Sequence, residues 1–326
     1  MKPVCSIIIR AFNEEKHIGK LLRGIASQTI KDVEVILVDS GSSDQTVPIA
    51  RSYGAEVVHI KPGQFTFGRS LNMGIAQANA DIVVIASAHV YPVYPDWLEK
   101  MLEPFKDKKI ALVYGKQSGC ETSKFSELQV FHHWYPDVSD LDQATPFCNN
   151  ANTAIRKSLW QEHPYDENLT GLEDLAWAKW VKEQGYKIAY SAEAEIVHVH
   201  QETWKGVYNR YRREGMAFKV INPEATFSFH EFIKASTENV RSDWKEARNR
   251  KLFRREWWHI VKFRFCQFWG TYQGYRQSGP LTWQLKRSFY YPRITGLEEN
   301  NHGRQGIAPI LYEEIAPPEE IKESDG

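Results

Sequence analysis

The first half of the chain alternates short runs of consecutive apolar residues with longer segments of helical periodicity. Five runs are predicted to be strands, because they are short, rich in Ile and Val and bounded by polar turns. They are residues 6–9, 33–38, 57–60, 82–86 and 110–114. Between the runs, apolar residues recur at helical spacing, as in Ile18, Leu21 and Ile25. This alternation predicts an α/β fold, with a mostly parallel sheet and helices on both faces.

Polar residues follow three of the predicted strands, in segments 10–14, 39–44 and 87–89. In open α/β sheets, ligands bind outside the carboxyl ends of the strands, where the strand order reverses. We therefore expect these segments to border the functional site. No Gly-x-Gly-x-x-Gly follows the first strand and no Gly-x-x-x-x-Gly-Lys-Ser/Thr occurs, which disfavours a dinucleotide-binding protein and a P-loop NTPase.

The composition and the lengths of the apolar runs indicate where in the cell the protein is located. The 326 residues carry 41 Lys and Arg against 41 Asp and Glu. No run approaches the roughly 18 consecutive apolar residues of a membrane span, and the first residues lack a signal-peptide cleavage pattern. We therefore expect a cytoplasmic protein, on the inner face of the membrane if it is peripheral. Four scattered cysteines without a Cys-x-x-Cys pair predict reduced thiols.

Four motifs follow one another along the chain. They are SIIIRAFNEE at 6–15, VILVDSGSSDQT at 35–46, FGRSLNMGIAQANADIVVIAS at 67–87 and GLEDLAWAKWVKEQGYKIAYSAEAEIVHVH at 171–200. Their order and spacing resemble those of the inverting family-2 glycosyltransferases of the GT-A fold, over residues 5–215. The resemblance implies transfer of a sugar from a nucleotide-sugar donor to an acceptor hydroxyl, with inversion at the anomeric carbon.

The resemblance also implies where the donor nucleotide binds. The residues concerned are Phe12, Asn13, Glu14, Asp39, Arg69, Asn72 and Ser87. The residue types alone are equally compatible with structural roles. Asp39 fits an Asx turn with Gly41, and Glu14 fits an acidic residue in the first turn of a helix.

Ser87-Ala88-His89 stands where the family has Asp-x-Asp, whose last Asp ligates Mg²⁺ or Mn²⁺. Some relatives, the polypeptide N-acetylgalactosaminyltransferases, have Asp-x-His. A neutral imidazole can ligate Mn²⁺, whereas Mg²⁺ prefers carboxylate oxygen. Two alternatives remain: His89 ligates a divalent metal together with His198 or His200, or it binds the diphosphate in a metal-independent enzyme. We favour the metal.

Glu173 and Asp174 match the family's acidic pair at the start of a helix that faces the acceptor. Inverting transfer needs a carboxylate to accept the proton of the attacking hydroxyl. Because adjacent residues of a helix point in different directions, we expect one base, Asp174, with Glu173 as second choice.

Two further groups are candidates for donor or acceptor contacts. Asn149, Asn150 and Asn152 offer amides to sugar hydroxyls, although clustered Asn residues are also common in turns. Arg210 and Arg213 share a predicted helical face and could offset the charge of the leaving diphosphate. Alternatively, these two arginines begin a basic surface.

Residues 201–295 carry 19 Lys and Arg against 8 Asp and Glu, and aromatic residues are mixed with basic ones most of all in residues 250–291. This composition is typical of an element on an anionic membrane surface, and a core helix or a homo-oligomer contact fits nearly as well. No RNA-binding motif is present, so nucleic acid is not an expected partner. We divide the chain into a GT-A domain (1–215), a helical region (216–296) and an acidic, flexible tail (297–326).

The leading hypothesis is an inverting glycosyltransferase that uses a saccharide or lipid-linked acceptor in surface glycan synthesis. The alternative is a degenerate GT-A domain that binds nucleotide-sugar or acts as a scaffold without catalysis. The retained acidic pair and Asp39 argue against that alternative.

Overall fold

A computed structural model describes residues 2–200, 202–277 and 306–312. Its described strands form one sheet, in the order β3-β2-β1-β4-β7-β6-β8-β5. The strands are β1 (Cys5–Ala11), β2 (Val33–Asp39), β3 (Glu56–His59), β4 (Ile82–Ser87), β5 (Val90–Pro92), β6 (Ile110–Ser118), β7 (Asn152–Arg156) and β8 (Lys187–His198). All five strands predicted from the sequence are present, with ends that differ by at most four residues.

Helices connect these strands and cover the sheet. They are α1 (Ile18–Ala26), α2 (Thr46–Ser52), α3 (Phe67–Gln77), α4 (Trp97–Leu102), α5 (Phe125–Trp134), α6 (Lys157–Glu162), α7 (Glu173–Glu183), α8 (Trp204–Ile221), α9 (Phe229–Asn249) and α10 (Phe253–Arg276). Among the described helices, none combines the length and the apolar character that crossing a membrane requires.

The sheet is mixed. The first four strands pair in parallel, as expected from the strand–helix repeats, and β6 pairs in parallel with β8. In contrast, β7 runs antiparallel between β4 and β6, and the short β5 runs antiparallel to β8. The sequence NTAIR of β7 has no apolar run, so its pattern did not indicate a strand.

The strand order reverses at β1, which lies between β2 and β4. Arg10 pairs with Ser87 of β4, and Ala11 pairs with Asp39 of β2. The polar segments that follow these strands therefore meet at one edge of the sheet, as the sequence predicted.

Both faces of the sheet are buried, which explains why its strands are continuously apolar. In β1, Ile8 packs into one core cluster, while Ile7 and Ile9 pack into the cluster on the opposite face. Full burial of each such side chain stabilises the fold by about 1.5–3 kcal/mol. Helix α3 approaches β1 closely at Gly74, where a Cβ would lie 2.6 Å from Cγ2 of Ile8.

Helices α8 and α10 pack against each other through glycines. A Cβ on Gly270 or Gly274 would lie within 2.5 Å of a carbonyl oxygen of α8. Since α8 continues to Ile221, the predicted domain boundary at residue 215 falls inside a helix.

Most of the predicted tail lies outside the described residues, apart from 306–312. That segment packs on β5, where Ile310 N donates to the Val93 carbonyl at 3.0 Å. Residues 278–291 of the basic and aromatic segment also lie outside the described residues.

Candidate active site

A cavity of about 340 Å³ opens at the carboxyl ends of β1 and β4. It lies between the sheet, the start of α7 and one face of α8. Most of the residues singled out from the sequence line it: Phe12, Glu14, Ser87, His89, Asn149, Asn150, Glu173, Asp174, His198, His200, Arg210 and Arg213. The acidic pair and His89 thus share one cavity, although they are more than 80 residues apart in the chain.

Asn13 and Asp39 do not line this cavity, because both are used to hold the loop after β2. The Asp39 carboxylate accepts hydrogen bonds from the backbone N–H groups of Gly41 and Ser42, each at 3.1 Å. The Asn13 side chain accepts from the backbone N–H of Ser43 at 2.8 Å. This geometry is the Asx turn that the sequence left open for Asp39. A nucleotide contact for these two residues stays a prediction.

Arg69 and Asn72 also lie away from the cavity. Both side chains donate to the Glu167 carboxylate, at 2.6 and 3.1 Å. Asn72 further accepts from the indole N–H of Trp160 at 2.9 Å and from the backbone N–H of Tyr165 at 3.1 Å. The two residues therefore fasten α3 to the segment that follows α6.

The expected donor contact of Asn152 is contradicted by its position. Its side chain is fully buried inside the sheet, donates to the carbonyls of Lys116 and Ala194, and accepts from the indole N–H of Trp97. Because every polar atom of the amide is used within the protein, none is left for a sugar hydroxyl. Asn149 and Asn150 line the cavity as expected.

The imidazoles of His89, His198 and His200 lie together in the cavity, with potential ligand atoms within 4.8 Å of one another. The sheet brings them together, because Val90 pairs with His198 and Val199 N donates to the His89 carbonyl at 3.0 Å. The Nε2 atoms of His198 and His200 are 2.9 Å apart.

Each of these imidazoles has its Nδ1 against a side-chain oxygen. The acceptors are Glu14 for His89 (2.8 Å), Gln117 for His198 (2.7 Å) and Glu127 for His200 (2.9 Å). Since these oxygens can only accept, each ring carries a proton on Nδ1. A second proton, on one Nε2, makes the 2.9 Å contact between His198 and His200 a hydrogen bond, and without it the Nε2 lone pairs are available to a metal. This is the usual arrangement of metal-ligating histidines, so the residues present fit a divalent metal.

Burial and neighbouring charges set the protonation of the cluster. Burial, and then the neighbouring His200, His89 and Arg210, hold the pKa of His198 well below its ordinary value. Burial alone would also lower the pKa of His89, but the adjacent Glu14 carboxylate outweighs it and raises that pKa. Burial would raise the pKa of Glu127, yet Arg210 and His200 hold it at about 2.

Glu173 and Asp174 both point into the cavity, which contradicts the expectation that adjacent acids of a helix diverge. They occupy the first two positions of α7, and Asn150 holds both of them. The backbone N–H of Asn150 donates to Asp174 Oδ2 at 2.9 Å, and its side-chain amide donates to Glu173 Oε1 at 3.3 Å. Burial, reinforced by the negative charge of Glu173, raises the pKa of Asp174 to about 7. A carboxylate with such a pKa is suited to general base catalysis near neutral pH.

Two arginines lie against the ring of Phe67 at the cavity wall. The guanidinium carbons of Arg10 and Arg213 are 4.8 and 4.6 Å from the ring centroid, which is cation–π distance. Arg10 also lies 3.4 Å from Glu173. These contacts fix two positive charges beside the acidic pair.

Arg210 is used differently from Arg213. Its guanidinium donates to Glu127 at 2.8 Å and to Glu202 at 2.8 Å, so its charge is largely compensated within the protein. The Arg210 side chain therefore holds the carboxylates of Glu127 and Glu202 next to His200.

The sequence placed Arg10 in segment 10–14, at the border of the expected site, but gave it no role, and it did not single out four further residues of this site: His17, Phe67, Gln117 and Glu127. Arg10 directly follows a predicted strand, which was the available signal. His17, whose pKa burial lowers to about 4, directly precedes α1 and had no local signal. Gln117 and Glu127 had no local signal, because their partners are 81 and 73 residues away.

Comparison with known proteins agrees with this geometry. Residues 6–163 match the model of Glycosyl transferase family 2. The chain is 30% identical to the O-antigen chain rhamnosyltransferase WbaN of Salmonella anatum, over 68% of this chain and 74% of that protein. It is 27% identical to the O-antigen chain rhamnosyltransferase RfbN of Salmonella typhimurium, over 67% and 73% of the two chains.

Among solved structures, the mannosyltransferase PcManGT of Pyrobaculum calidifontis, in complex with GDP-Man and Mn²⁺, has a TM-score of 0.56. The match covers 84% of this chain and 85% of that one, at 17% identity, and shows the shared fold. The fold and the cavity define a GT-A enzyme. The chain belongs to glycosyl transferase family 2 and is a glycosyltransferase of glycan biosynthesis.

Proposed function

We propose that this enzyme transfers a sugar, with inversion, from a nucleotide-sugar donor to a saccharide or lipid-linked acceptor of a surface glycan. The observation that supports this proposal is the shared cavity of the acidic pair, the three histidines and the Arg10–Phe67–Arg213 group. A displacement at an anomeric carbon needs a base on one side and compensation of the leaving charge on the other.

Asp174 acts as the base in this proposal. As the acceptor oxygen attacks the anomeric carbon, its proton passes to the Asp174 carboxylate and the bond from that carbon to the phosphate oxygen breaks. The two hydrogen bonds from the backbone N–H groups of Asn150 and Leu175 keep the carboxylate in place. Glu173, held by Arg10 and Asn150, raises the proton affinity of its neighbour.

Positive side chains offset the charge of the nucleoside diphosphate as it leaves. Arg10 and Arg213 are held at the wall by Phe67 and can face the phosphates without reorganisation. A divalent cation, Mn²⁺ or Mg²⁺, held by His89, His198 and His200 would supply further positive charge there.

The names of the two relatives support a more specific proposal for the donor sugar and the acceptor. Both Salmonella relatives are named as O-antigen chain rhamnosyltransferases, so we propose rhamnose or a related deoxyhexose as the sugar and a growing lipid-linked saccharide as the acceptor. A donor-hydrolysis screen tests this proposal. It uses UDP-, GDP-, dTDP- and CMP-sugars, including a nucleotide-linked rhamnose, and each donor is assayed with and without EDTA. Hydrolysis of one class, lost in Asp174→Asn, is expected. Binding of a nucleoside diphosphate without turnover of any donor would favour the degenerate scaffold instead.

We further propose that the helical region contacts the anionic membrane surface that carries the acceptor. Phe229 and Ile233 of α9 and Phe265 of α10 are about half exposed. The ring centroid of Phe232 lies 5.6 Å from that of Phe229, 6.0 Å from that of Phe265 and 5.3 Å from that of Trp269. Helix α10 carries five Lys and Arg against one acidic residue, which complements anionic lipid, whereas α9 carries four of each sign.

Flotation with vesicles tests this contact. We expect the protein to float with vesicles that contain phosphatidylglycerol, and to float less when Phe229 and Phe265 are both changed to Ser. Leu141→Ser, at an exposed apolar residue outside these helices, is the matched control. A change in oligomer mass, without a change in flotation, would indicate a homo-oligomer contact instead.

A further inference from the structure

Trp134, the last residue of α5, carries an aromatic surface that is open to solvent. The residue is 45% exposed. Its indole ring stacks on the ring of Phe147, with centroids 4.5 Å apart and planes 20° from parallel, and the His133 ring stands nearly perpendicular to it at 5.2 Å. A single exposed aromatic residue is common on protein surfaces, so the surroundings of the stacked pair decide its role.

The pair lies beside the active-site cavity. Phe131, one turn earlier in α5, contacts two histidines of that cavity, with its ring centroid 6.2 Å from that of His198 and 5.6 Å from that of His200. Residues three apart in a helix share a face, so Trp134 continues the aromatic surface that Phe131 begins. Helix α5 thus contributes an aromatic wall that starts at the histidines and ends at an exposed indole.

The chain after Phe147 leads directly to the acidic pair. Asn149 lines the cavity, and the backbone N–H of Asn150 donates to the Asp174 carboxylate at 2.9 Å. Three residues of chain span at most about 11 Å, so the Cα atoms of Phe147 and Asn150 are no farther apart than that. An oligosaccharide that stacks on the pair can therefore reach Asp174 within a few sugar rings.

The segment that carries Phe147 is held in place before any ligand binds. The Gln143 side chain donates to the carbonyls of Thr145 and Phe147, each at 2.8 Å, and its backbone N–H donates to the Ile188 carbonyl at 3.0 Å. The Phe147 ring also packs edge-on against Tyr114, with centroids 5.6 Å apart. A ring fixed in this way loses little conformational entropy when a ligand stacks on it.

The chemistry around the pair suits a neutral saccharide. One face of a pyranose ring consists mostly of C–H groups, which complement the negative face of an aromatic ring. Segment 136–147 carries Asp137, Asp140 and Asp142 but no Lys or Arg. Two of these acids, Asp137 and Asp142, each pair with a lysine of the sheet, yet their side chains are 88% and 61% exposed. Carboxylates accept hydrogen bonds from sugar hydroxyls and repel phosphate and anionic lipid.

We propose that Trp134 and Phe147 form a stacking platform for one sugar ring of a neutral oligosaccharide acceptor. Neither residue lines the cavity itself, so the stacked ring is not the one that carries the attacking hydroxyl. Acceptors of several rings should therefore bind better than a single sugar. This inference rests on the proposed function, because it takes the acceptor to be a saccharide.

Fluorine NMR of the full-length protein labelled with 5-fluorotryptophan tests the platform without any turnover. The chain has 11 tryptophans, and Trp134→Phe identifies the resonance of Trp134 by removing it. The probes are neutral galactose-, mannose- and rhamnose-based saccharides of one to four rings. We expect the Trp134 resonance to shift with at least one saccharide of three or four rings, and to shift less with the corresponding monosaccharide.

Titration calorimetry with the same oligosaccharide measures the contribution of the ring. Trp134→Ala should weaken binding at least about fivefold, whereas Trp134→Phe, which keeps a flat ring, should retain most of the affinity. Trp258→Ala, at a tryptophan of α10 that is 49% exposed, is the matched control and should bind like the wild type. Circular dichroism of each variant separates loss of folding from loss of the platform.

Two results would overturn the inference: a Trp134 resonance that no saccharide shifts, or equal affinities in Trp134→Ala and Trp258→Ala. Broadening of that resonance by phosphatidylglycerol vesicles, without a shift by any saccharide, would show a membrane contact in place of the platform. Donor hydrolysis needs no acceptor, so its persistence with any of these results would leave the proposed function standing. Oligosaccharide binding at Trp134 without hydrolysis of any donor would support the platform and refute the proposed function.

Discussion

Replacing Asp174 by Asn should make the enzyme less active and more stable. The Asp174 carboxyl has a pKa of about 7 in the folded protein, raised from an ordinary value of 3.8 by burial and by the charge of Glu173. Folding therefore favours the protonated carboxyl, and stability falls as pH rises from about 4 to about 7. Above that window the full cost of burying the carboxylate is present. Asparagine never carries this charge.

The magnitude follows from the size of the shift. Raising the pKa from 3.8 to about 7 corresponds to about 4 kcal/mol of lost stability at pH 8. Asn keeps one acceptor oxygen but loses one of the two backbone hydrogen bonds, from Asn150 or Leu175, which costs about 1 kcal/mol. We expect Asp174→Asn to be more stable than the wild type by about 3 kcal/mol at pH 8, and by less than about 1 kcal/mol at pH 5.

Urea unfolding at the two pH values, followed by tryptophan fluorescence, measures this difference. Donor turnover by the same protein should fall by about 10²–10⁴-fold, because the base is gone. A variant that is no more stable at pH 8, or whose advantage does not shrink at pH 5, would refute the reasoning about burial.

Glu173→Gln is the matched control. It removes the neighbouring charge, so the wild-type rise of kcat/KM with pH, centred near 7, should move to lower pH while activity is retained. Loss of activity in Glu173→Gln together with full activity in Asp174→Asn would show that Glu173, and not Asp174, is the base.

Three other changes separate structural from functional residues. Asn152→Ala should lower the free energy of unfolding by about 1–3 kcal/mol, yet leave the donor KM of the folded protein within about twofold. A large rise in KM would show that the Asn152 amide contacts the donor. Gly74→Ala should cost about 1–3 kcal/mol because its Cβ meets β1, whereas Gly63→Ala, in open space, should change stability by less than about 0.5 kcal/mol. Equal effects in urea titrations would exclude steric packing as the cause. Arg210→Met should destabilise by about 3–5 kcal/mol, because it removes the guanidinium that compensates the buried Glu127 carboxylate and leaves that carboxylate only its contact with His200. Adding Glu127→Gln should recover part of that loss. Additive losses in the double variant would show that the unpaired charge is not the cause.

The sequence by itself determined the strand–helix order and the edge of the sheet where the site lies. Both follow from local information, because apolar periodicity and the polar residues after each strand are read within a few positions. The acidic pair, Glu173 and Asp174, was found through the resemblance to the family-2 motifs, which are also local in sequence.

Only the tertiary structure decided which side chains meet. It turned Asn152 into the sheet, where its amide accepts from an indole N–H, and Asp39 into its own loop, where its carboxylate accepts from backbone N–H groups. It placed Glu173 and Asp174 in one cavity through Asn150. It also paired His89 with Glu14, 75 residues away, and gave His200 its carboxylate partner. Such partners are brought together by the strand order, which the local pattern does not encode, so the chemistry of the histidine cluster emerged only in the folded chain.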